Sequence, residues 1–411
     1  MTETHRRKPF WGLSKRSWAL YRSVWLGWRA FDRVAFRNTP HGVENVPSDG
    51  PVLLLANHVG LLDPFWVGIN IWRPCRFMAA TSVFKIPVLG PVLGGLGAFP
   101  KMKYVKDRES MRKLAEHYDA GHVVMLFPEG VRTWTGQPMP VLPGIGRLIK
   151  RMNARVVYAR IDSGYLVAPR WAKYPRYVPL DITYDGPHTY PADWSAERIT
   201  EDVREKLHVE PKRDPSRFAW GYRLAEGLPT LLWACPACLD FDALEVPRRD
   251  GDRVTCRSCG ATWRVDLDAQ LNGEGGAETM SVPEAAARLR AHIGDPAALD
   301  RARFEADGVV GEAEVATITR VQYDGPPSPP MTGRLVVTSE ELRIEPIAGE
   351  PWRARFEDVL SVSTEVGDQL LIRLPGETRR GRVFRLDVAG QSPLKWGAVL
   401  FTWYRHHHPM S

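Results

Sequence analysis

One histidine is followed five residues later by one aspartate in Asn57-His58-Val59-Gly60-Leu61-Leu62-Asp63, directly after the apolar run 51–56. An imidazole and a carboxylate at that spacing have two readings. Either Asp63 fixes the tautomer of His58 and stabilises its imidazolium, making His58 a general base. Or Asp63 caps a helix with Pro64 at its first position, and His58 is an ordinary loop residue. A second polar cluster, Phe127-Pro128-Glu129-Gly130-Val131-Arg132-Thr133, follows the apolar run 122–127, with Glu129 lying 71 residues beyond His58. Neither cluster holds a serine or cysteine nucleophile beside the histidine, so a base there acts directly on a substrate hydroxyl.

A third group is built for a metal. Cys235-Pro-Ala-Cys238 and Cys256-Arg-Ser-Cys259 are separated by 17 residues. Two C-x2-C pairs at that distance match a four-thiolate structural zinc site of the ribbon type, and four thiolates leave no open catalytic position. Two disulfides, free thiols or a redox pair are the alternatives. Cys75 stands alone and reads as a loop or core residue. Clustered rather than scattered cysteines point to a reducing compartment. The histidine run 406–408 reads as incidental.

These residues need a frame. The apolar runs 51–56, 122–127 and 154–161 read as buried strands. Helices are expected from Asp63, over 107–120 up to Gly121, and over 195–208. Alternating strands and helices predict an α/β domain with a mostly parallel sheet. Ligands bind outside the carboxyl ends of such strands, so the two polar clusters can face one crevice. Residues 77–99 are apolar but interrupted by prolines and glycines, which predicts short helices and loops, buried or against a membrane.

The chain has 411 residues, enough for two or three domains. Its net charge is +7, and residues 1–37 hold nine bases against two acids, so the basic arm carries the whole excess. A balanced remainder argues against a nucleic-acid footprint on the folded part. A helix over 14–37 gathers Trp18, Tyr21, Trp25, Trp28 and Phe31 on one arc, beside Arg22, Arg29, Arg33 and Arg37. Tryptophans beside arginines predict a helix lying in a membrane interface. No short apolar core with a cleavage site marks a secretory signal. The organisation expected is the basic helix (1–38), an α/β domain (39–215), a zinc ribbon with a lead-in helix (216–269), a linker with a short helix (270–304) and a β-rich domain (305–408).

The paired clusters resemble the glycerolipid acyltransferases that include 1-acylglycerol-3-phosphate acyltransferase. Asn57, His58 and Asp63 match that family's Asn-His-x4-Asp motif. Phe127, Pro128, Glu129, Gly130 and Arg132 match its Phe-Pro-Glu-Gly-Thr-Arg motif, with Val131 in place of threonine. Gly97-Ala98-Phe99-Pro100 followed by Lys103 resembles the second motif, in which an arginine is usual. Tyr158 stands where the fourth motif usually has proline. The resemblance spans about 40–210. It implies transfer of an acyl group from acyl-CoA or acyl-carrier protein to the hydroxyl of lysophosphatidic acid, without a catalytic cofactor. His58 would be the base and Asp63 its partner. Asn57, Lys103, Phe127, Glu129, Gly130 and Arg132 would line the substrate, with Lys103 and Arg132 toward a phosphate and backbone N–H groups toward the oxyanion. Another lysophospholipid or hydroxylated lipid as acceptor, or a non-catalytic lipid-binding adaptor, are the competing expectations. The implied surroundings are the cytoplasmic face of a membrane, held peripherally or monotopically, with lysophospholipid and acyl thioester as partners. The strands from 305 onward and a final helix with Trp396 resemble a pleckstrin-homology-like or GRAM-like barrel, which implies a scaffold, protein-binding or lipid-binding role.

Overall fold

The computed structural model describes residues 15–80, 84, 87, 89–95, 97–101, 108–293, 308–321, 327–364, 370–376 and 381–408. The chain divides into two compact units, 1–222 and 223–411.

The first unit is built on a seven-stranded sheet. Its strands are β1 (Thr39–His41), β2 (Val52–Ala56), β3 (Cys75–Ala80), β4 (Ala98–Lys101), β5 (Val123–Leu126), β6 (Val156–Ile161) and β7 (Asp181–His188), in the order β1-β7-β6-β2-β5-β3-β4. The five strands β6, β2, β5, β3 and β4 run parallel to their neighbours. β7 is antiparallel to β6, and β1 follows β7. All five residues of β2 and all four of β5 are buried, which is why both read as unbroken apolar runs. Leu53, Leu55, Val124, Leu126, Tyr158 and Val156 share one core with Leu114, Ile149 and Val203.

The longer helices among the described residues of this unit are α1 (Lys15–Ala35), α2 (Asp63–Gly68), α3 (Leu89–Gly95), α4 (Arg108–Asp119), α5 (Gly144–Met152) and α6 (Ala196–Lys206), with a single helical turn at Gly164–Val167. The stretch 77–99 is therefore not only loops and helices: β3 and β4 enclose α3. Short strands holding Pro100 and Arg76, with Gly97 in the turn before β4, gave too weak an alternation to be read from sequence. In α1, Trp25 and Trp28 of the aromatic arc face the domain. The Trp25 ring meets Trp72 edge-on at 5.6 Å, Trp28 packs on Phe65 at 5.4 Å, and Arg29 donates to the Ile69 carbonyl at 3.2 Å. The large apolar side chains that α1 leaves exposed are Leu26, Phe31 and Val34. Tyr158 lies in the core, its hydroxyl paired with that of Tyr190, which donates to Asp202 at 2.5 Å. No helix among the described residues is long and apolar enough to cross a membrane.

The second unit opens with a small five-stranded antiparallel sheet. It contains β8 (Leu244–Glu245), β9 (Arg253–Cys256), β10 (Thr262–Val265), β11 (Gln270–Glu274) and β12 (Met280–Ser281). Of the linker and short helix expected over 270–304, the first part holds β11 and β12 and the helix is α7 (Val282–Ile293), and residues 294–304 lie outside the described residues. The glycines that suggested a linker are turn glycines: Gly275 and Gly276 have φ of 61° and 93°. Seven further antiparallel strands follow, β13 (Val309–Val321), β14 (Met331–Thr338), β15 (Glu341–Glu345), β16 (Trp352–Arg355), β17 (Ser361–Thr364), β18 (Leu370–Leu374) and β19 (Arg382–Val388), in the order β16-β15-β14-β13-β19-β18-β17. β16 and β17 are its edges, so strand pairing among the described residues does not close the sheet into a barrel. The helix α8 (Pro393–His407) is capped by Ser392 and buries Trp396, Val399, Leu400 and Trp403.

Candidate active site

β2 and β5 are parallel neighbours, with Leu55 opposite Leu126. The residues leaving their carboxyl ends are therefore neighbours too. That places Asn57-His58 beside Phe127–Glu129, although they are far apart in sequence.

Asp63 is not a helix cap. It is the first residue of α2, one position inside the N-cap Leu62. Its carboxylate, fully buried, turns back onto the loop. Oδ2 accepts from His58 Nδ1 at 2.7 Å and from the Val59 N–H at 2.7 Å, and the Gly60 N–H lies 2.9 Å from each oxygen. A carboxylate can only accept, so Nδ1 of His58 carries the proton and Nε2 keeps the lone pair. The His58 side chain keeps 21% exposure. A base must be reachable, and this one is.

The second cluster holds the backbone of His58. Glu129 Oε1 accepts from the His58 N–H at 3.2 Å, and Oε2 accepts from the Met139 N–H at 3.0 Å. The Thr133 N–H donates to the His58 carbonyl at 3.0 Å. Phe127 stacks on the imidazole, centroids 4.4 Å apart and planes 25° apart. Gly130 makes the turn after Glu129 at φ 73°, a left-handed conformation that favours glycine.

Three site residues make defined contacts within the protein. Asn57 is buried and bound at both ends to Ile161, its Oδ1 accepting from the Ile161 N–H at 2.8 Å and its Nδ2 donating to the carbonyl at 3.4 Å. It ties the end of β2 to the end of β6. Glu129 and Phe127 position His58. Arg132 is half-buried, and its carbonyl accepts from Arg170 Nη1 at 3.3 Å. Lys103 lies outside the described residues. The N–H groups of His58, Val59 and Gly60 are taken by Glu129 and Asp63, so the donors to an oxyanion are not among these three. Thr133 and Met139 act through their backbone amides, which side-chain identity cannot reveal.

Burial pushes the Glu129 carboxyl up to about 7, and nearby Asp63 adds to this against the two amide bonds that oppose it. The folded state therefore holds a proton more readily than the unfolded chain between the ordinary value and about 7. Its contribution to stability falls as pH rises through that window, by roughly 3 kcal/mol in all. Glu129→Gln removes this titration. The variant is expected to gain stability relative to the parent between pH 5 and pH 8, read as the difference in thermal midpoints at the two values. An unchanged difference would place the pH dependence elsewhere.

In the second unit, Cys235, Cys238, Cys256 and Cys259 come together with all ligand atoms within 4.8 Å of one another. The Sγ atoms of Cys235 and Cys259 are 3.8 Å apart, and those of Cys238 and Cys256 are 3.7 Å apart. Each pair sits on the same kind of turn. The Leu239 N–H donates to the Cys235 carbonyl at 2.8 Å, and the Gly260 N–H donates to that of Cys256 at 3.0 Å. Both closing residues have positive φ, 64° at Leu239 and 75° at Gly260. Four clustered cysteines of this kind form a site that can hold a metal ion.

Residues 37–169 match the family described as Acyltransferase. The chain is 28% identical over 134 residues to a chloroplastic 1-acyl-sn-glycerol-3-phosphate acyltransferase of Brassica napus, covering 32% of this chain and 39% of that protein. It is 34% identical over 162 residues to an uncharacterized protein of Mycobacterium tuberculosis, covering 38% and 39% of the two chains. The chain thus spans about two fifths of the length of these relatives. Among solved structures, the 1-acyl-sn-glycerophosphate (LPA) acyltransferase PlsC of Thermotoga maritima aligns with a TM-score of 0.39 and 20% identity, over 48% of this chain and 82% of that one. The first unit carries an acyltransferase domain.

Proposed function

We propose that this chain transfers a fatty acyl group from an acyl thioester to the hydroxyl of a lysophospholipid, with lysophosphatidic acid as the leading acceptor. The observation that carries the reading is the His58 Nδ1–Asp63 contact of 2.7 Å, with the imidazole partly exposed and the His58 backbone clamped by the second motif.

In the reaction, Nε2 of His58 takes the proton of the acceptor hydroxyl as its oxygen attacks the thioester carbonyl. Asp63 stabilises the imidazolium that forms. The tetrahedral intermediate collapses, the C–S bond breaks, and the imidazolium returns the proton to the leaving thiolate. An ester and a free thiol result, and the base is restored. Arg132 and Lys103 are assigned to the acceptor phosphate, where an arginine offers a two-pronged contact and a lysine a point charge. The donor, acyl-CoA or acyl-carrier protein, delivers the same thioester to the same base.

Purified full-length chain offered acyl-CoA and a panel of lysophospholipids, with products read by mass spectrometry, tests this. Diacyl product is expected with lysophosphatidic acid in preference to neutral-headgroup acceptors. No product with any acceptor would favour the lipid-binding adaptor instead. The lipid acceptor supports a peripheral position at a bilayer. The four cysteines are assigned to structural zinc. Tetrahedral Zn–S bonds of about 2.3 Å place sulfurs about 3.8 Å apart, which the two measured separations match. The C-terminal strands with α8 are read as a pleckstrin-homology-like scaffold or docking module.

A further inference from the structure

The first unit ends in an alternating segment, Arg217-Phe218-Ala219-Trp220-Gly221-Tyr222. Successive residues of an extended chain point to opposite sides. Phe218, Trp220 and Tyr222 are accordingly exposed by 68%, 57% and 54%, while Arg217, Ala219 and Gly221 are half-buried. Three large aromatic rings on one solvent-facing side need an explanation, since soluble surfaces scatter such residues singly.

The segment is held in this form. Tyr177 and Trp220 exchange backbone hydrogen bonds of 2.7 and 3.0 Å. It is also docked on the end of α1. The Tyr177 hydroxyl donates to the Val34 carbonyl at 3.3 Å, Arg37 donates to the Phe218 carbonyl, and the Arg37 guanidinium lies 4.7 Å from the Tyr177 ring centre. Val34, 73% exposed, belongs to the outer side of α1 with Leu26 and Phe31. Tyr222 packs against Tyr174 at 5.3 Å, beside Lys173. The strip and the outer side of α1 therefore adjoin. The cations beside these rings include Arg33, Arg37 and Lys173, while Arg217 of the segment is paired with Asp181.

We propose that the Phe218–Tyr222 strip is a second membrane-contacting element, forming with Leu26, Phe31 and Val34 one seat on an anionic bilayer. Trp and Tyr rings combine an apolar body with a polar tip, and they concentrate at the bilayer interface for that reason. Arginine and lysine among them complement anionic headgroups. This rests on the reading of the first unit as acting at a bilayer.

The test is co-sedimentation of the purified full chain with phosphatidylcholine vesicles, with and without phosphatidylglycerol. Two variants are compared, Phe218→Ser/Trp220→Ser/Tyr222→Ser and Leu26→Ser/Phe31→Ser/Val34→Ser, with thermal midpoints to establish folding. Each is expected to lower partitioning onto anionic vesicles by about tenfold or more, since three apolar insertions are lost. Trp220→Phe alone should keep most of the binding. Parent-like binding of the strip variant, with loss in the helix variant, overturns the inference and leaves the bilayer reading standing. Parent-like binding of both overturns the bilayer reading itself. A parent that sediments as a dimer, a strip variant that is monomeric, and vesicle binding unchanged would assign the strip to a second copy of this chain and overturn the inference.

Discussion

His58→Ala is expected to reduce acyl transfer by about 10²- to 10⁴-fold, the usual contribution of a positioned general base. The fold should survive. The imidazole is partly exposed, and the contacts that hold the loop run through the His58 backbone and the Asp63 carboxylate, which the substitution leaves in place. Asp63→Asn should be at least as damaging for a different reason. An amide cannot stabilise an imidazolium as a carboxylate does. It also presents an NH2 group to a buried site where His58, Val59 and Gly60 all donate, so one donor loses its acceptor. The two variants should therefore separate. His58→Ala should lower the thermal midpoint less than Asp63→Asn, since Asp63 keeps the Val59 and Gly60 amides. Single-turnover assays beside calorimetry measure both. Near-parental turnover in a folded His58→Ala protein would remove the base from the mechanism and require another group to take the hydroxyl proton.

The separation of the two variants also explains what sequence could and could not disclose. The strand β2 was legible because a fully buried parallel strand has only apolar residues, and β5 was legible for the same reason. The two polar clusters that follow them were legible as strand-end loops. That the clusters meet depends on β2 and β5 being adjacent, which no residue pattern states. Asp63 followed by Pro64 carries a strong helix-start signal, yet the aspartate bonds backward to the loop rather than forward to the helix. Glu129 was placed in the site by the resemblance, positioning either the substrate or the neighbouring loop. Its partners are backbone amides of His58 and Met139, and amides carry no side-chain signature. The same limit hid the strands β3 and β4, whose short apolar stretches are broken by the residues that bend the chain between them. In α1 the amphipathic arc was read correctly as an arc, but periodicity does not say whether its apolar side meets protein or lipid. Trp25 and Trp28 meet Trp72 and Phe65, so the tryptophans are packing residues of the domain.

For the cysteine cluster, local spacing alone carried the expectation, because each C-x2-C turn is complete within a few residues. The expected result is one zinc ion per chain, held by Cys235, Cys238, Cys256 and Cys259 and measured by elemental mass spectrometry on purified protein. Metal binding supplies folding free energy on the order of 10 kcal/mol in small four-ligand sites. The ribbon has some core without it, since Trp263, Leu271 and Val254 are buried to within 1%. The turn closed by Leu239, however, holds a non-glycine residue at φ 64°, a strained conformation that metal binding would offset. Chelation should therefore unfold the region around 233–265 first, exposing all four thiols to alkylation and lowering the thermal midpoint. Cys256→Ser should do the same without chelator, because three thiolates and a hydroxyl bind zinc far more weakly. The acid–base step assigned to His58 and Asp63 uses none of these sulfurs, so turnover should be largely retained after mild chelation. Protein that carries no stoichiometric zinc, and whose four cysteines are alkylated in the native state at the rate of exposed thiols, would rule the site out.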